Sequence, residues 1–361
     1  MENSIRKLAS IQIIENLEPI KDRDRIELAH VLGWQVIVKK DEFKIGDKCI
    51  FVEPDAVLPE KPEFEFLRSK KFRIKTMKMA GVLSQGIIFP LNILPNDDFN
   101  INDDVTNILN IKKYEPHEEE VFEKPTKKIK KYPQFLMKFS WFRKLVLPSK
   151  RQQRGFPLQI SKTDEIRIQT IPSALENKTP VIVTEKVDGQ SLSALLVKTK
   201  TWYGKTKYEF ILCSRNLRLW SRDNSSYWQM ADKYKLEETL KKMIGENEWV
   251  AVQGECYGAS IQGNPYKMNE KELRIFNVIY PSGRLGSVEA KQICEDNNLL
   301  FVPILDTNFI LPDTVNEMLD YATNKSVINP EVLREGVVIR SKDGKLSFKA
   351  VSPDYLIKYE K

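Results

Sequence analysis

Pro180-Val181-Ile182-Val183-Thr184-Glu185-Lys186-Val187-Asp188-Gly189-Gln190-Ser191 is the stretch on which the reading of this 361-residue chain turns. The apolar, β-branched run that ends near Val187 reads as a buried strand, and Gly189 marks a break where backbone can approach a ligand closely. A lysine at the end of such a strand can be desolvated and made nucleophilic, and a carboxylate two residues on can hold a metal. Alone, a lysine, an aspartate and a glycine at fixed offsets are a weak pattern. The rest of the chain decides its weight.

Composition narrows the field. The chain is 41 % hydrophobic and 30 % charged, a balance that folds, and its length suits two ordinary domains. The net charge of +7 is unevenly spread: residues 124–154 hold eleven Lys or Arg and not one Asp or Glu. Such a local excess favours a polyanion such as nucleic acid, bound more weakly as salt rises. The cysteines (Cys49, Cys213, Cys256, Cys294) are scattered, and with His30 and His117 they suggest neither a zinc site nor a disulfide framework. The amino terminus is polar and no apolar run approaches the ~18 residues that span a bilayer. An intracellular, soluble protein, cytoplasmic or nuclear, with no membrane contact is the expectation.

Residues 5–95 read as short strands separated by turns, clearest at 9–14, 34–39, 48–53 and 82–89, with Ile45-Gly46-Asp47 as one of the turns. Trp34-Gln35-Val36-Ile37-Val38 alternates in part, as a strand of a small half-buried barrel does. A short helix is predicted near 105–109. Between His117 and Pro157 the composition changes sharply: Glu118-Glu119-Glu120 gives way to lysines interleaved with Pro125 and Pro133. The basic and aromatic run Phe135-Leu136-Met137-Lys138-Phe139-Ser140-Trp141-Phe142-Arg143-Lys144-Leu145 follows. This reads as a linker leading into an amphipathic basic helix. Docking of that helix onto a domain and direct nucleic-acid contact carry equal weight, since aromatics beside cations suit both. From about residue 158 the pattern is mixed, with strands predicted at 180–187, 191–198, 208–214, 249–255, 273–279, 336–340 and 346–350. Helices are predicted at 226–245, 287–297 and 315–323.

Downstream of Lys186 come Cys213-Ser214-Arg215-Asn216, Val252-Gln253-Gly254-Glu255-Cys256-Tyr257-Gly258, Arg274-Ile275-Phe276-Asn277-Val278, Arg334-Glu335-Gly336-Val337-Val338-Ile339-Arg340 and Lys345-Leu346-Ser347-Phe348-Lys349. Each places a charged or aromatic residue at a strand end. Singly, each has a plainer reading: Arg215 a surface cation, Phe276 a core aromatic, Glu335 a turn acid, Lys349 an edge lysine.

Together and in this order they resemble the motif series of the covalent nucleotidyltransferase superfamily of RNA ligases, DNA ligases and capping enzymes. Gly33-Trp34-Gln35-Val36-Ile37-Val38, Ser161-Lys162-Thr163-Asp164-Glu165 and Ser347-Phe348-Lys349-Ala350-Val351-Ser352 are similar to the Naegleria-type RNA ligases in particular. That resemblance implies an α+β chain in three parts. Residues 1–112 would form an OB-like β-barrel and 113–157 a basic linker or insert. Residues 158–361 would form an ATP-grasp-like nucleotidyltransferase domain of antiparallel sheets flanked by helices. Two departures stand out. Val351 occupies the place where related RNA ligases carry a second lysine, for which Lys345 or Lys358 are the available substitutes. Asn277 replaces an aspartate common after the aromatic of the fourth motif.

The implied chemistry is attack of Lys186 on the α-phosphate of ATP. The AMP then passes to an RNA 5′-phosphate, and a 3′-hydroxyl seals the strand, in the setting of RNA repair. Lys186, Asp188, Glu335 and Lys349 would be catalytic. Asp188 and Glu335 would hold Mg2+ or Mn2+ through water. Glu185, Gly189, Arg215, Asn216, Glu255 and Phe276 would bind ATP, with Glu255 on the ribose, Phe276 on adenine and Arg215 on phosphate. Bringing a lysine from its usual pKa of ~10.4 to near neutrality takes about 4 kcal/mol; burial, a divalent cation and Lys349 are the expected sources. Arg73, Lys75 and Lys78, read as one strand face, join Lys138, Arg143 and Lys144 as candidates for RNA or pyrophosphate contact, with a solvated face the plainer reading of the first three. The partner is RNA, as a nicked duplex or juxtaposed ends, and a monomer is expected. DNA ligases and capping guanylyltransferases are the rival enzymes; those ligases usually carry an OB domain after the motif series, whereas twelve residues follow Lys349 here. A nucleic-acid-binding protein with a degenerate ligase domain is the non-enzymatic alternative, supported by Val351 and Asn277 alone.

Overall fold

Trp34, Val36 and Val38 alternate along the strand Trp34–Lys39, and all three are buried while Gln35 and Ile37 are partly exposed. That alternation, together with Trp34 packed 5.6 Å from the ring of Phe51, fixes one wall of a small barrel in a computed structural model of the chain. The structure describes residues 7–96, 98–114, 155–220 and 222–359. The basic insert, its expected amphipathic helix and Lys138, Arg143 and Lys144 lie outside the described residues.

The amino-terminal barrel is built from a meander, Asn16–Ile20, Arg23–Val31 and Trp34–Lys39, and a three-stranded sheet in the order Ala9–Ile13, Lys48–Val52, Ile87–Phe89. The hairpin Thr76–Met79/Val82–Gln85 closes it against Trp34–Lys39, where the Ile37 amide donates to Ser84 Oγ. Lys112–Lys113 return to pair with Ala56–Val57. The short helix predicted near 105–109 is a turn: the Leu109 amide bonds the Val105 carbonyl, but Asn110 adopts a left-handed φ of 55° and ends the coil after one turn.

The carboxy-terminal half is two antiparallel sheets. One has four strands in the order Ile304–Phe309, Val181–Lys186, Gly336–Ser341, Ser347–Val351. The other has six, in the order Arg218–Leu219, Thr206–Cys213, Gln190–Lys200, Trp249–Gly258, Lys271–Tyr280, Gly283–Arg284. The single helix predicted at 226–245 is two, Ser226–Lys233 and Leu236–Met243, broken where Lys235 takes a φ of 47°. At 3.6 residues per turn a continuous helix would point Leu236 roughly 120° away from Met230. Breaking it lets both residues pack into the same core on the sheet. Val315–Ala322 starts at a capping box, Thr314 Oγ1 accepting from the Glu317 amide while the Glu317 carboxylate accepts from the Thr314 amide. Pro353–Tyr359 is a further helix, not anticipated from the sequence, lying against the Thr76–Met79 strand.

The two halves meet at Gly33. Its amide donates to the Gln169 carbonyl at 2.8 Å, and a Cβ there would stand 2.8 Å from Gln169 Cα and 2.9 Å from Val315. Arg167 Nη2 on Asp55 (3.0 Å) and Thr170 Oγ1 on Glu53 (2.8 Å) complete the joint. Gly33→Ala is therefore expected to loosen docking without unfolding the barrel: amide exchange should accelerate at 167–171 by about tenfold, for a local cost of ~1–2 kcal/mol. Unchanged exchange there would show that the joint gives way without cost.

Candidate active site between the two sheets

Strand alternation separates core from chemistry. Val181, Val183, Val337, Ile339, Phe348 and Ala350 face one way, into an apolar core with Met318 and Leu319. Thr184, Lys186, Val338, Lys349 and Val351 alternate with them on the opposite face, where Lys186 pairs with Gly336 and Val338 with Lys349. The second sheet turns Ser191 and Glu255, directly paired, onto one face, with Ser193, Gln253 and Asn277 further along it. The turn at 187–189 joins the sheets. It needs a glycine for close packing: a Cβ on Gly189 would lie 2.1 Å from the Cys256 carbonyl oxygen. The close approach read from sequence as room for a ligand is thus made to the neighbouring strand.

Lys186 Nζ lies 2.5 Å from Glu335 Oε2, the two side chains 24 % and 13 % exposed. Glu255 accepts from Ser191 Oγ (3.0 Å). Asp188 accepts from the hydroxyl of the buried Tyr355 (2.9 Å), and its amide donates to the hydroxyl of the buried Tyr266 (2.9 Å). Gln262 Nε2 holds the Gly189 carbonyl. Tyr266, Tyr355, Ser191 and Gln262 were not singled out from sequence. Tyr355 follows the last recognised motif by six residues, and nothing local marks it.

Burial alone would push the Lys186 ammonium pKa down, but the carboxylates of Glu335, Glu255 and Asp188 outweigh it and hold the lysine above its ordinary value. This differs from the depression expected of a nucleophile, because the acidic groups beside the ammonium outweigh its burial. Burial pushes Glu255 up to about 8, against the pull of Lys186 and Ser191. Burial and the neighbouring Asp188 and Glu335 also raise the Tyr355 hydroxyl, which stays neutral and a donor. The donor set is hard oxygen, which suits Mg2+ or Mn2+ rather than a thiophilic ion. Among the described residues no three acidic, His or Cys side chains converge to ligate one ion directly.

A second cluster surrounds Asp164. Arg215 Nη2 is 2.7 Å and Lys349 Nζ 3.7 Å from Asp164 Oδ1, and Lys113 bonds Oδ2. Burial would raise this carboxyl, but Lys349, Arg215 and Lys113 hold it well below the usual carboxylate range. Three cations gathered on one anion form a patch suited to phosphate oxygens. Lys113 and Asp164 were missed as site residues, although Asp164 lies in the Ser161–Glu165 run used for the resemblance.

The other candidates differ in their placement. Glu185 is 1 % exposed, and its carboxylate is taken by Ser326 Oγ and the Val327 amide; it braces the loop after residue 324 on the far face of the strand. Phe276 is half-buried against the main core, its carbonyl accepting from Arg340. Asn216 follows Arg215 in the turn after Thr206–Cys213. Asn277 Nδ2 donates to Gln253 Oε1 (2.8 Å), in a buried chain that ends on the Ser161 carbonyl; an aspartate would set two acceptors against each other. Of the two substitutes for the missing lysine, Lys345 pairs with Asp343 and Lys358 lies over the Tyr359 ring. Val351 itself is 2 % exposed, and Arg215 and Lys113 are the cations that join Lys349. Arg73, Lys75 and Lys78 do not share a strand face. Arg73 is buried 3.8 Å from Asp55 and stacked on Tyr114, Lys75 is half-buried, and of the three only Lys78, on Thr76–Met79, is exposed. The expected alternation fails because residues 75 and 78, three apart, fall on opposite faces of any strand, and because the strand starts only at Thr76. All four cysteines are buried and unpaired, and no described helix is long and apolar enough to cross a membrane.

A family model described as an OB-fold domain matches residues 8–91, and one described as RNA ligase matches residues 179–359. Among solved structures, Naegleria gruberi RNA ligase with PPi is 30 % identical, with 99 % of each chain covered and a TM-score of 0.79. A mutant of that ligase with ATP and Mn is 30 % identical, covering 99 % of this chain and 100 % of that one, with a TM-score of 0.79. Another with AMP and Mn is also 30 % identical at a TM-score of 0.79, covering 98 % and 99 %. Curated proteins yield no match. With the barrel, the two sheets and the lysine–carboxylate cluster in one arrangement, this chain belongs to the RNA ligase family.

Proposed function

We propose that the chain is an ATP-dependent RNA ligase that joins a 3′-hydroxyl to a 5′-phosphate through a lysyl-AMP on Lys186 and an RNA-adenylate. The observation that carries this is the convergence of Lys186 with Glu335, Glu255 and Asp188 on one side, and of Lys349 with Arg215 on the other, in the cleft between the sheets. Spacing adds support. Mutants of the Naegleria ligase were made at a lysine and an aspartate two positions apart, and at a glutamate and a lysine fourteen positions apart. Lys186 and Asp188, and Glu335 and Lys349, have the same separations here.

In this reading Lys186 Nζ attacks the α-phosphorus of ATP, the N–P bond forms as the bond to pyrophosphate breaks, and the amine proton is lost. Lys349 and Arg215 take up the charge on the phosphate oxygens in place of Asp164. Glu255 binds the ribose and Phe276 packs on the adenine. Asp188 and Glu335 would hold a divalent cation, whose positive charge would offset the acidic groups beside Lys186. The RNA 5′-phosphate then takes AMP from the lysine, and the 3′-hydroxyl displaces AMP. Residues 1–112, 113–157 and 158–361 divide the chain into barrel, basic insert and nucleotidyltransferase domain, the first two contacting RNA or pyrophosphate. The enzyme works as an intracellular monomer, cytoplasmic or nuclear, in RNA repair.

Incubation with labelled ATP or GTP and magnesium tests this. Label from ATP on the wild type is expected; label from GTP would turn the reading towards capping, and none towards a binding protein. A pH series follows from the raised lysine. The neutral amine fraction grows about tenfold per pH unit below the lysine's pKa, so at limiting cation the rate of label uptake should climb by nearly a hundredfold between pH 7 and 9. A flat profile would mean that proton loss from Lys186 does not limit the step.

A further inference from the structure

The hairpin Gln190–Lys200/Thr206–Cys213 begins at the active site and ends far from it. Gln190 follows Gly189 directly, and eleven residues later the strand reaches Lys200; at ~3.3 Å per residue the tip lies roughly 35 Å along the sheet from the Ser191–Glu255 pair. The tip is ordered by its own backbone: the Thr201 amide donates to the Lys205 carbonyl and the Gly204 amide to the Thr201 carbonyl, both at 2.9 Å. On this turn Trp202 is 95 % and Tyr203 62 % exposed, their rings edge to face at 5.4 Å. Leaving an indole in water forfeits the burial that usually fixes it, so the exposure calls for an occupant.

Charge identifies the occupant. Residues 198–209 hold four lysines and one acid, Glu209. Glu209 is engaged by Arg218 and Lys198 by the Gly245 carbonyl. Lys200, Lys205 and Lys207 make no ion pair among the described residues. The chain as a whole carries +7, which disfavours a second copy of itself against this tip. Flat aromatic faces flanked by uncompensated cations match unpaired bases on a phosphate backbone. Register adds direction: Lys207 pairs with Thr199, which shares its strand face with Ser191, so the basic surface extends on the side that carries Glu255.

We infer that the 201–205 tip is a distal RNA-binding element that stacks unpaired bases of the substrate on Trp202 and Tyr203, with Lys205 and Lys207 on the adjoining phosphates. This rests on the ligase reading for the identity of the nucleic acid, yet its test does not need ligation. Fluorescence anisotropy would measure binding of nicked RNA duplexes that are blunt, or that carry a single-stranded tail on either arm, short or long enough to span roughly 35 Å. The long tail is expected to tighten wild-type binding by about tenfold. Trp202→Ala with Tyr203→Ala should lose that gain, and Lys205→Ala with Lys207→Ala should lower the salt slope by roughly 1–2. AMP uptake by both variants should match the wild type, which separates a failure of this element from a failure of the ligase reading. Equal gain in the aromatic variant, no gain in the wild type, or sedimentation showing a wild-type dimer that the aromatic variant abolishes would each overturn the inference.

Discussion

Lys186→Ala is expected to take up no label from ATP and at the same time to lose stability in the absence of metal. The two effects have one cause. In the wild type the ammonium lies 2.5 Å from Glu335 and balances Glu255 and Asp188 as well. Deleting it removes the nucleophile and leaves buried carboxylates facing one another, the situation in which loss of one ion-pair partner costs about 3–5 kcal/mol. Protonation of Glu255, already raised by burial, would absorb part of that. Manganese should stabilise the variant more than the wild type, because the ammonium no longer competes for the carboxylates. Melting curves with and without the ion provide the check. A variant as stable as wild type and indifferent to manganese would mean that the carboxylates do not form the cation site.

Lys349→Met should slow formation of protein-bound AMP by about 10²–10³-fold, the range seen when a preorganised group at developing charge is removed. The side chain is 11 % exposed and shares Asp164 with Arg215 and Lys113. Methionine keeps most of the length without the charge, so the fold should hold. The loss should appear in the rate at saturating ATP more than in the ATP concentration needed, since Arg215 and Lys113 still attract the ground-state phosphates. A rate within threefold of wild type would assign the phosphate work to Arg215 and Lys113, a change of less than ~1 kcal/mol.

The sequence carried the fold where alternation was strong and local. Trp34-Gln35-Val36-Ile37-Val38 announced a barrel wall, and the run ending at Lys186 announced a strand with one buried face. The helix predicted at 315–323 was equally legible and is observed as Val315–Ala322. The helix at 226–245 misled because its apolar residues suit two axes rather than one, and only the left-handed Lys235 reconciles them. The site was legible where order along the chain carried it, at Lys186, Asp188, Glu255, Glu335 and Lys349. Residues that complete it through space were not. Tyr266 and Tyr355 reach Asp188 from elements far apart in sequence, and Asp164 recruits Lys113 from the edge of the barrel. Arg73 shows the converse error: a basic residue in a basic run proved to be buried against Asp55 and Tyr114.

A single-turnover chase tests the central claim most directly. Protein charged with labelled ATP and freed of nucleotide would be mapped by peptide mass spectrometry, then mixed with a nicked RNA duplex bearing 3′-hydroxyl and 5′-phosphate ends. The account predicts AMP on the peptide that contains Lys186, followed by its transfer to the RNA 5′-phosphate and the appearance of sealed strand in step with released AMP. AMP on any other residue, or a charged Lys186 that never discharges into nicked RNA, would contradict it.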